Sequence, residues 1–173
     1  MAVILMRHTR PALDKSYCYG SLDIELADSF EVDAAEAMKR VPHVDRIVSS
    51  PLLRARRLAE RVGASRGLEV KIDARVSEMD FSAWEGRPWS EIPRDELDAW
   101  AADFLDARPH GGESVRTFQQ RCLDAVNEWA DRPGDTLVVC HAGVVRAVFA
   151  VGTRSQDFSR SIDYGDVVHW AGL

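Results

Sequence analysis

The chain has 173 residues, 46% of them hydrophobic and 29% charged, which fits a globular protein with a substantial core and excludes wholesale disorder. Its formal net charge of −6 argues against a general binder of nucleic acid or of anionic membranes, both of which select basic surfaces. The cysteines Cys18, Cys122 and Cys140 show no metal-type spacing and their odd number speaks against a disulfide framework, so a reducing cytoplasm is the expected compartment.

Strand and helix signals alternate along the chain, which predicts an α/β sheet with helices on both faces. The apolar run 2–6 reads as a buried strand; it is too short for a signal peptide or a membrane span, and Arg7 ends it. A loop follows from 7 to about 27. Phe30, Ala34, Ala37, Met38 and Val41 then fall on one helical face. Residues 46–49 read as the next strand. Ser50 and Pro51 make a good helix start, Ser as cap and Pro at the first helical position. Leu52, Ala55, Leu58, Ala59 and Val62 form the buried stripe of that helix, with Gly63 or Gly67 to end it.

Residues 68–72 predict a third strand. An irregular stretch, 73–92, leads to a helix with Leu97, Trp100, Ala101, Phe104 and Leu105 on its inner face. After the break at 109–112, Val115, Phe118, Cys122, Val126 and Trp129 mark a helix over 114–131. Residues 136–140 form a strongly apolar strand, His141-Ala142-Gly143 follows, and 144–151 reads as an apolar helix. A last strand is expected at 166–170. Without repeats, linkers or low-complexity tracts, residues 1–173 are expected to form a single domain.

Chemistry-bearing residues then share an address. Arg7 and His8 follow the first strand, Arg54 lies in the first turn after strand 46–49, and His141 follows strand 136–140. If these strands run parallel, all of them open at one carboxyl edge, where open α/β sheets place their ligands. Two guanidinium groups, two imidazoles and the start of a helix suit phosphate oxygens. Each group also has a plainer reading. Arg57 and Arg61 are better taken as a solvated helix face, His141 alone would be an ordinary strand-end histidine, and Cys140 is core. No Cys-x-x-Cys or His-x-x-x-His spacing supports a metal site, so none is expected. Glu78, Asp80 and Glu85 all lie in the irregular stretch, and local pattern does not choose among them as an acid. Glu113 and Ser114 suit either shaping a pocket or capping the 114–131 helix. Trp84, Trp89 and Trp100 read as core or lid packing.

Five motifs, in order, resemble the histidine phosphatase (phosphoglycerate-mutase-like) superfamily over essentially the whole chain. They are Met6-Arg7-His8-Thr9, Ser49-Ser50-Pro51-Leu52-Leu53-Arg54-Ala55, the stretch from Glu78 to Gly86, Gly111-Gly112-Glu113-Ser114, and His141-Ala142-Gly143-Val144-Val145-Arg146. Cys18-Tyr19-Gly20-Ser21-Leu22-Asp23 is most similar to the α-ribazole phosphatase-like branch. The resemblance implies a three-layer α/β/α sandwich with a mostly parallel central sheet. It implies His8 as the nucleophile that takes the phosphoryl group, with Arg7, Arg54, His141 and the Ala142 amide on the phosphate oxygens. It singles out Glu78 as proton donor to the leaving alcohol. Thr9 stands where a glycine is common, Ser82-Ala83 where Gly-Asp is usual, and Leu58 where a threonine is common.

The expected function is a metal-independent, cofactor-free phosphomonoesterase acting on a small phosphorylated metabolite, with α-ribazole 5′-phosphate of cobalamin assembly as the candidate named by resemblance. A phosphoglycerate mutase, a protein-phosphohistidine phosphatase and a non-catalytic phospholigand-binding scaffold are the alternatives. No nucleic-acid or membrane partner is expected, and a homodimer is left open.

Overall fold

The computed structural model describes residues 2–172. Five strands form one sheet in the order β3-β2-β4-β1-β5: β1 Val3–Arg7, β2 Arg46–Ser49, β3 Val70–Ile72, β4 Thr136–Cys140 and β5 Val167–Trp170. The pairs β1–β4, β4–β2 and β2–β3 are parallel, and β5 alone is antiparallel, along β1. Alternation along the strands splits the core in two, because successive side chains leave opposite faces. Val3, Leu5, Val48, Val138 and Cys140 pack with α4 (Val115–Ala130) and α5 (Ala142–Phe149). Ile4, Met6, Ile47, Leu137 and Val139 pack with α1 (Phe30–Met38) and α2 (Leu53–Arg66). The result is the expected three-layer α/β/α sandwich. A smaller cluster of Cys18, Trp84 and Ile92, with Trp89, Leu97 and Trp100 against it, ties the first loop to the 81–102 segment. No helix among the described residues is long and apolar enough to cross a membrane.

Several boundaries differ from those the sequence predicts. Helix α2 begins at Leu53 rather than at Pro51. The Ser50 amide still donates to Val139 O (3.0 Å), so the chain remains in the sheet register one residue past β2. Ser50 Oγ accepts from the Leu52 amide, and the Leu53 amide finds its acceptor in Asp23 of the first loop (2.7 Å), a cap supplied from another part of the chain. Of the two glycines proposed to end this helix, Gly67 does so, in the left-handed conformation (φ 66°). The Leu68 amide is thereby tied to Gly63 O, and β3 starts only at Val70.

Helix α1 stops at Met38, with Val41 buried beyond it. The helix expected to carry Phe104 and Leu105 is α3, Arg94–Ala102; it ends before them, and Ala101 is exposed. The chain turns at Asp103, and Phe104 packs on Phe158 and Trp100 instead. Helix α5 starts two residues earlier than predicted, directly behind His141. Three 3₁₀ turns, Ala74–Val76, Ser82–Trp84 and Trp89–Glu91, account for what order the irregular stretch has.

Candidate active site

The parallel register brings the ends of β1, β2 and β4 together. Arg7 pairs with Cys140, and Ser49 with Val139. The His8 amide donates to Cys140 O (3.0 Å), so His8 and His141 leave adjacent strands side by side, with ring centroids 5.1 Å apart. Arg54 enters from the first turn of α2. A cleft of about 660 Å³ opens above this edge, lined among others by Arg7, His8, Tyr19, Glu78, Ala142 and Tyr164. Arg54 and His141 lie fully buried beside it.

His8 is fixed by its own neighbourhood. Nδ1 lies 2.6 Å from the Thr9 carbonyl oxygen; a carbonyl can only accept, so Nδ1 carries the proton and the Nε2 lone pair is free. Burial, then the adjacent Arg54 charge, push the His8 pKa down to about 3. Burial and the same Arg54 charge also hold His141 well below the usual imidazole range. Both rings are therefore neutral near pH 7 in this pocket, His141 included. His141 Nε2 lies 2.8 Å from Ser50 Oγ.

The guanidinium groups are held by backbone carbonyls and aromatic faces. Arg54 donates to Gly20 O (2.6 Å) and Leu22 O (2.8 Å), and Arg7 donates to Ile162 O (2.7 Å). The Arg7 guanidinium lies 3.7 Å from the centre of the Tyr164 ring and that of Arg54 5.5 Å from the Tyr19 ring. The two tyrosine hydroxyls are hydrogen-bonded to each other at 3.0 Å. Four buried polar atoms of this cluster, Arg7 Nε, Arg54 Nε, Thr9 Oγ1 and His141 Nδ1, have no hydrogen-bond partner among the described residues.

Of the carboxylates left open by local pattern, Glu78 is the one that lines the cleft with His8. Its Oε1 accepts from the Met79 amide (3.0 Å) and its Oε2 from the Gly143 amide (3.1 Å) in the first turn of α5. Glu85 turns instead to the first loop, accepting from the amides of Ser21 (2.8 Å), Leu22 (2.5 Å) and Phe81 (2.9 Å). Asp80 accepts from the Ser82 amide (2.8 Å). Ala142 is the first residue of α5, where an amide has no partner within the helix.

Ser114 caps α4, accepting from the Thr117 amide (3.1 Å), and Glu113 pairs with Arg121. Trp84 is core, whereas Trp89 and Trp100 line the cleft. The thiols of Cys122 and Cys140 are buried and raised by that burial, as befits core side chains. Among the described residues, no three His, Cys, Asp or Glu side chains gather as a metal-binding group. Sequence reading did not find Tyr164, Gly143 or the anchoring role of Glu85. Tyr164 sits in an irregular tail without periodicity, and the other two act through contacts that only the fold creates.

Comparison with known proteins fits this geometry. A family model described as the histidine phosphatase superfamily (branch 1) matches residues 3–167. A glucosyl-3-phosphoglycerate phosphatase of Mycobacterium tuberculosis is 34% identical over 166 residues, covering 86% of this chain and 73% of that protein. An adenosylcobalamin/α-ribazole phosphatase of Salmonella typhimurium is 30% identical over 115 residues, covering 61% and 55%. Among solved structures, a mycobacterial glucosyl-3-phosphoglycerate phosphatase superposes with a TM-score of 0.82 at 27% identity, covering 99% of this chain and 90% of that one. The α-ribazole phosphatase of Shigella flexneri gives 0.82 at 25% identity, covering 98% and 89%. With the sheet order, the neighbouring histidines and a family match over nearly its whole length, the chain belongs to the histidine phosphatase superfamily.

Proposed function

We propose that this protein is a metal-independent phosphomonoesterase that works through a phosphohistidine on His8. The observation that carries the reading is the group of unpartnered buried atoms around His8: Arg7 Nε, Arg54 Nε, Thr9 Oγ1 and His141 Nδ1. Buried polar atoms are nearly always paired, so such a group calls for a ligand rich in acceptor oxygens. A phosphoryl group is that ligand.

In the first step the free Nε2 of His8 attacks phosphorus, the N–P bond forms and the bond to the leaving oxygen breaks. Arg7, Arg54, the Ala142 amide and His141 hold the phosphoryl oxygens. Fixed charge and positioning supply most of the help in such transfers. Ser50 Oγ accepts from the Leu52 amide and can donate its own hydrogen to His141 Nε2. That leaves the His141 proton on Nδ1, as a donor to phosphate. The departing alkoxide is strongly basic, and Glu78 hands it a proton, a contribution of about 10²–10⁴ in rate. Water then attacks the phosphohistidine with Glu78 as base, the N–P bond breaks, and phosphate leaves with His8 restored.

A carboxylic acid beside the nucleophile favours an alcohol ester over a phosphohistidine substrate, whose leaving group needs less protonation. The substrate is a small phosphorylated metabolite. α-Ribazole 5′-phosphate and glucosyl-3-phosphoglycerate, the compounds named for the relatives, are the two to assay first. A soluble cytoplasmic setting suits either.

Turnover of p-nitrophenyl phosphate in the presence of EDTA tests the chemistry. Activity is expected to persist with EDTA and to fall by about 10³-fold or more in His8→Ala, since loss of a nucleophile removes the covalent route. Loss of turnover on chelation, or full activity in His8→Ala, would overturn the reading.

A further inference from the structure

We propose that Arg121 is a positioning residue for Glu78, acting through the backbone of residues 75–78 without touching substrate; this rests on Glu78 being the proton donor. Glu78 lies between the 3₁₀ turns Ala74–Val76 and Ser82–Trp84, outside any strand or α-helix. Its stretch of backbone has no ladder to hold it, and its carbonyls need other donors. Arg121, on α4, provides them. Nη1 donates to Arg75 O (2.7 Å) and Ser77 O (2.9 Å), and Nη2 to Glu78 O (3.1 Å).

The remaining donors go to Glu113, Nε to Oε1 (2.6 Å) and Nη2 to Oε2 (2.9 Å). These bonds use all five N–H groups that a guanidinium owns. Glu113 carries the bracket to the other side of Glu78: its amide donates to Asp80 O (3.0 Å) and its carboxylate accepts from the Asp80 amide (3.4 Å). The backbone is thus pinned both before and after Glu78.

The pair is largely shielded, with side-chain exposures of 23% for Arg121 and 13% for Glu113, and neither residue lines the cleft. A loss that grows with the leaving group's need of a proton therefore reaches the reaction through Glu78, whereas the Arg121 charge felt by His141 would act on every ester alike. A planar fork reaches three carbonyls and a carboxylate at once; the single ammonium of lysine cannot. A carboxylate displaced by about 1 Å from its productive position is enough to cost on the order of 10²-fold in proton transfer.

The test is leaving-group dependence. p-Nitrophenolate departs with little need of a proton, whereas ethoxide needs one. kcat/KM is measured for p-nitrophenyl, phenyl and ethyl phosphate with the wild-type chain, Arg121→Gln, Arg121→Lys and Glu78→Gln. Both Arg121 variants are expected to lose about tenfold more on ethyl phosphate than on p-nitrophenyl phosphate. In the Glu78→Gln background, Arg121→Gln should add no further leaving-group dependence.

Equal losses across the three esters would assign Arg121 a purely structural role and overturn the proposal. If Glu78→Gln shows the graded loss and the Arg121 variants do not, only the positioning role falls. If Glu78→Gln shows none, the acid assignment fails first and takes the positioning role with it. Because Arg121→Gln strands the Glu113 carboxylate, Glu113→Gln provides a second, gentler break of the bracket. It should show the same graded loss at smaller size, and a flat response from a folded Glu113→Gln would count against the proposal equally.

Discussion

Gly143 shows how much of this site is decided by single atoms. It occupies the first turn of α5 and donates its amide to Glu78 Oε2. A Cβ placed there would come within 2.0 Å of Glu78 Oε1, a separation no side chain tolerates, so the carboxylate would have to move. Replacement of a helical glycine by alanine ordinarily stabilises by roughly 0.5–1 kcal/mol. Gly143→Ala should therefore leave the fold intact while displacing Glu78, the proposed acid. The expected outcome is a fall in kcat/KM on alkyl phosphates of about tenfold or more, with a thermal midpoint no lower than wild type. Retained activity on ethyl phosphate would show that Glu78 need not occupy its present position. His8 is governed as locally: the Thr9 carbonyl fixes its tautomer, which any residue could supply at position 9. The backbone bond accounts for the orientation of the proposed nucleophile, and what threonine itself adds at position 9 is its buried, unpartnered Oγ1.

At the scale of elements, Ser114 decides between two readings that its sequence left open. Its hydroxyl accepts from the Thr117 amide at 3.1 Å, the geometry of a helix cap, and it does not line the cleft. Ser114→Ala is expected to cost about 1 kcal/mol of stability, read from urea unfolding, with steady-state kinetics unchanged. A folded variant with altered KM would restore the pocket reading. The strands were legible in the sequence because each is a compact apolar run. Position then followed: once β1, β2 and β4 are parallel, Arg7, His8 and His141 can only emerge at one edge. Arg54 was legible for the same reason. Glu78 was not separable from Asp80 and Glu85 without the family resemblance. What distinguishes them is which amides each carboxylate meets across long sequence distances, Glu78 with Gly143 and Glu85 with Ser21. The start of α2 was misplaced for a related cause, since its cap comes from Asp23 in the first loop.

On the scale of the whole molecule, placing histidines in the interior ties stability to pH. His8, His110 and His141 are buried, and burial lowers the pKa of each, that of His8 to about 3. In the unfolded chain these groups would titrate near the ordinary value of about 6.5. Between those limits the unfolded state binds more protons than the folded one, so stability is fully present above about pH 6.5 and declines as pH falls toward the depressed folded-state values. The slope is at most about 1.4 kcal/mol per pH unit for each histidine. Carboxylates with lowered pKa, such as Asp73 and Glu128, add their own loss only from about pH 5 downward, so the window from pH 6.5 to about 5 reports the imidazoles. Urea midpoints across that window are expected to drop steadily in the wild-type chain. His110 packs among Phe81, Trp84 and Trp100, accepts from the Gly112 amide (3.0 Å) and does not line the cleft. His110→Asn can keep that acceptor through its side-chain oxygen while removing the titration, and its pH slope should be shallower than wild type. A stability that is flat from pH 6.5 to about 5, or a slope unchanged in His110→Asn, would mean that these imidazoles gain their protons without opening the fold.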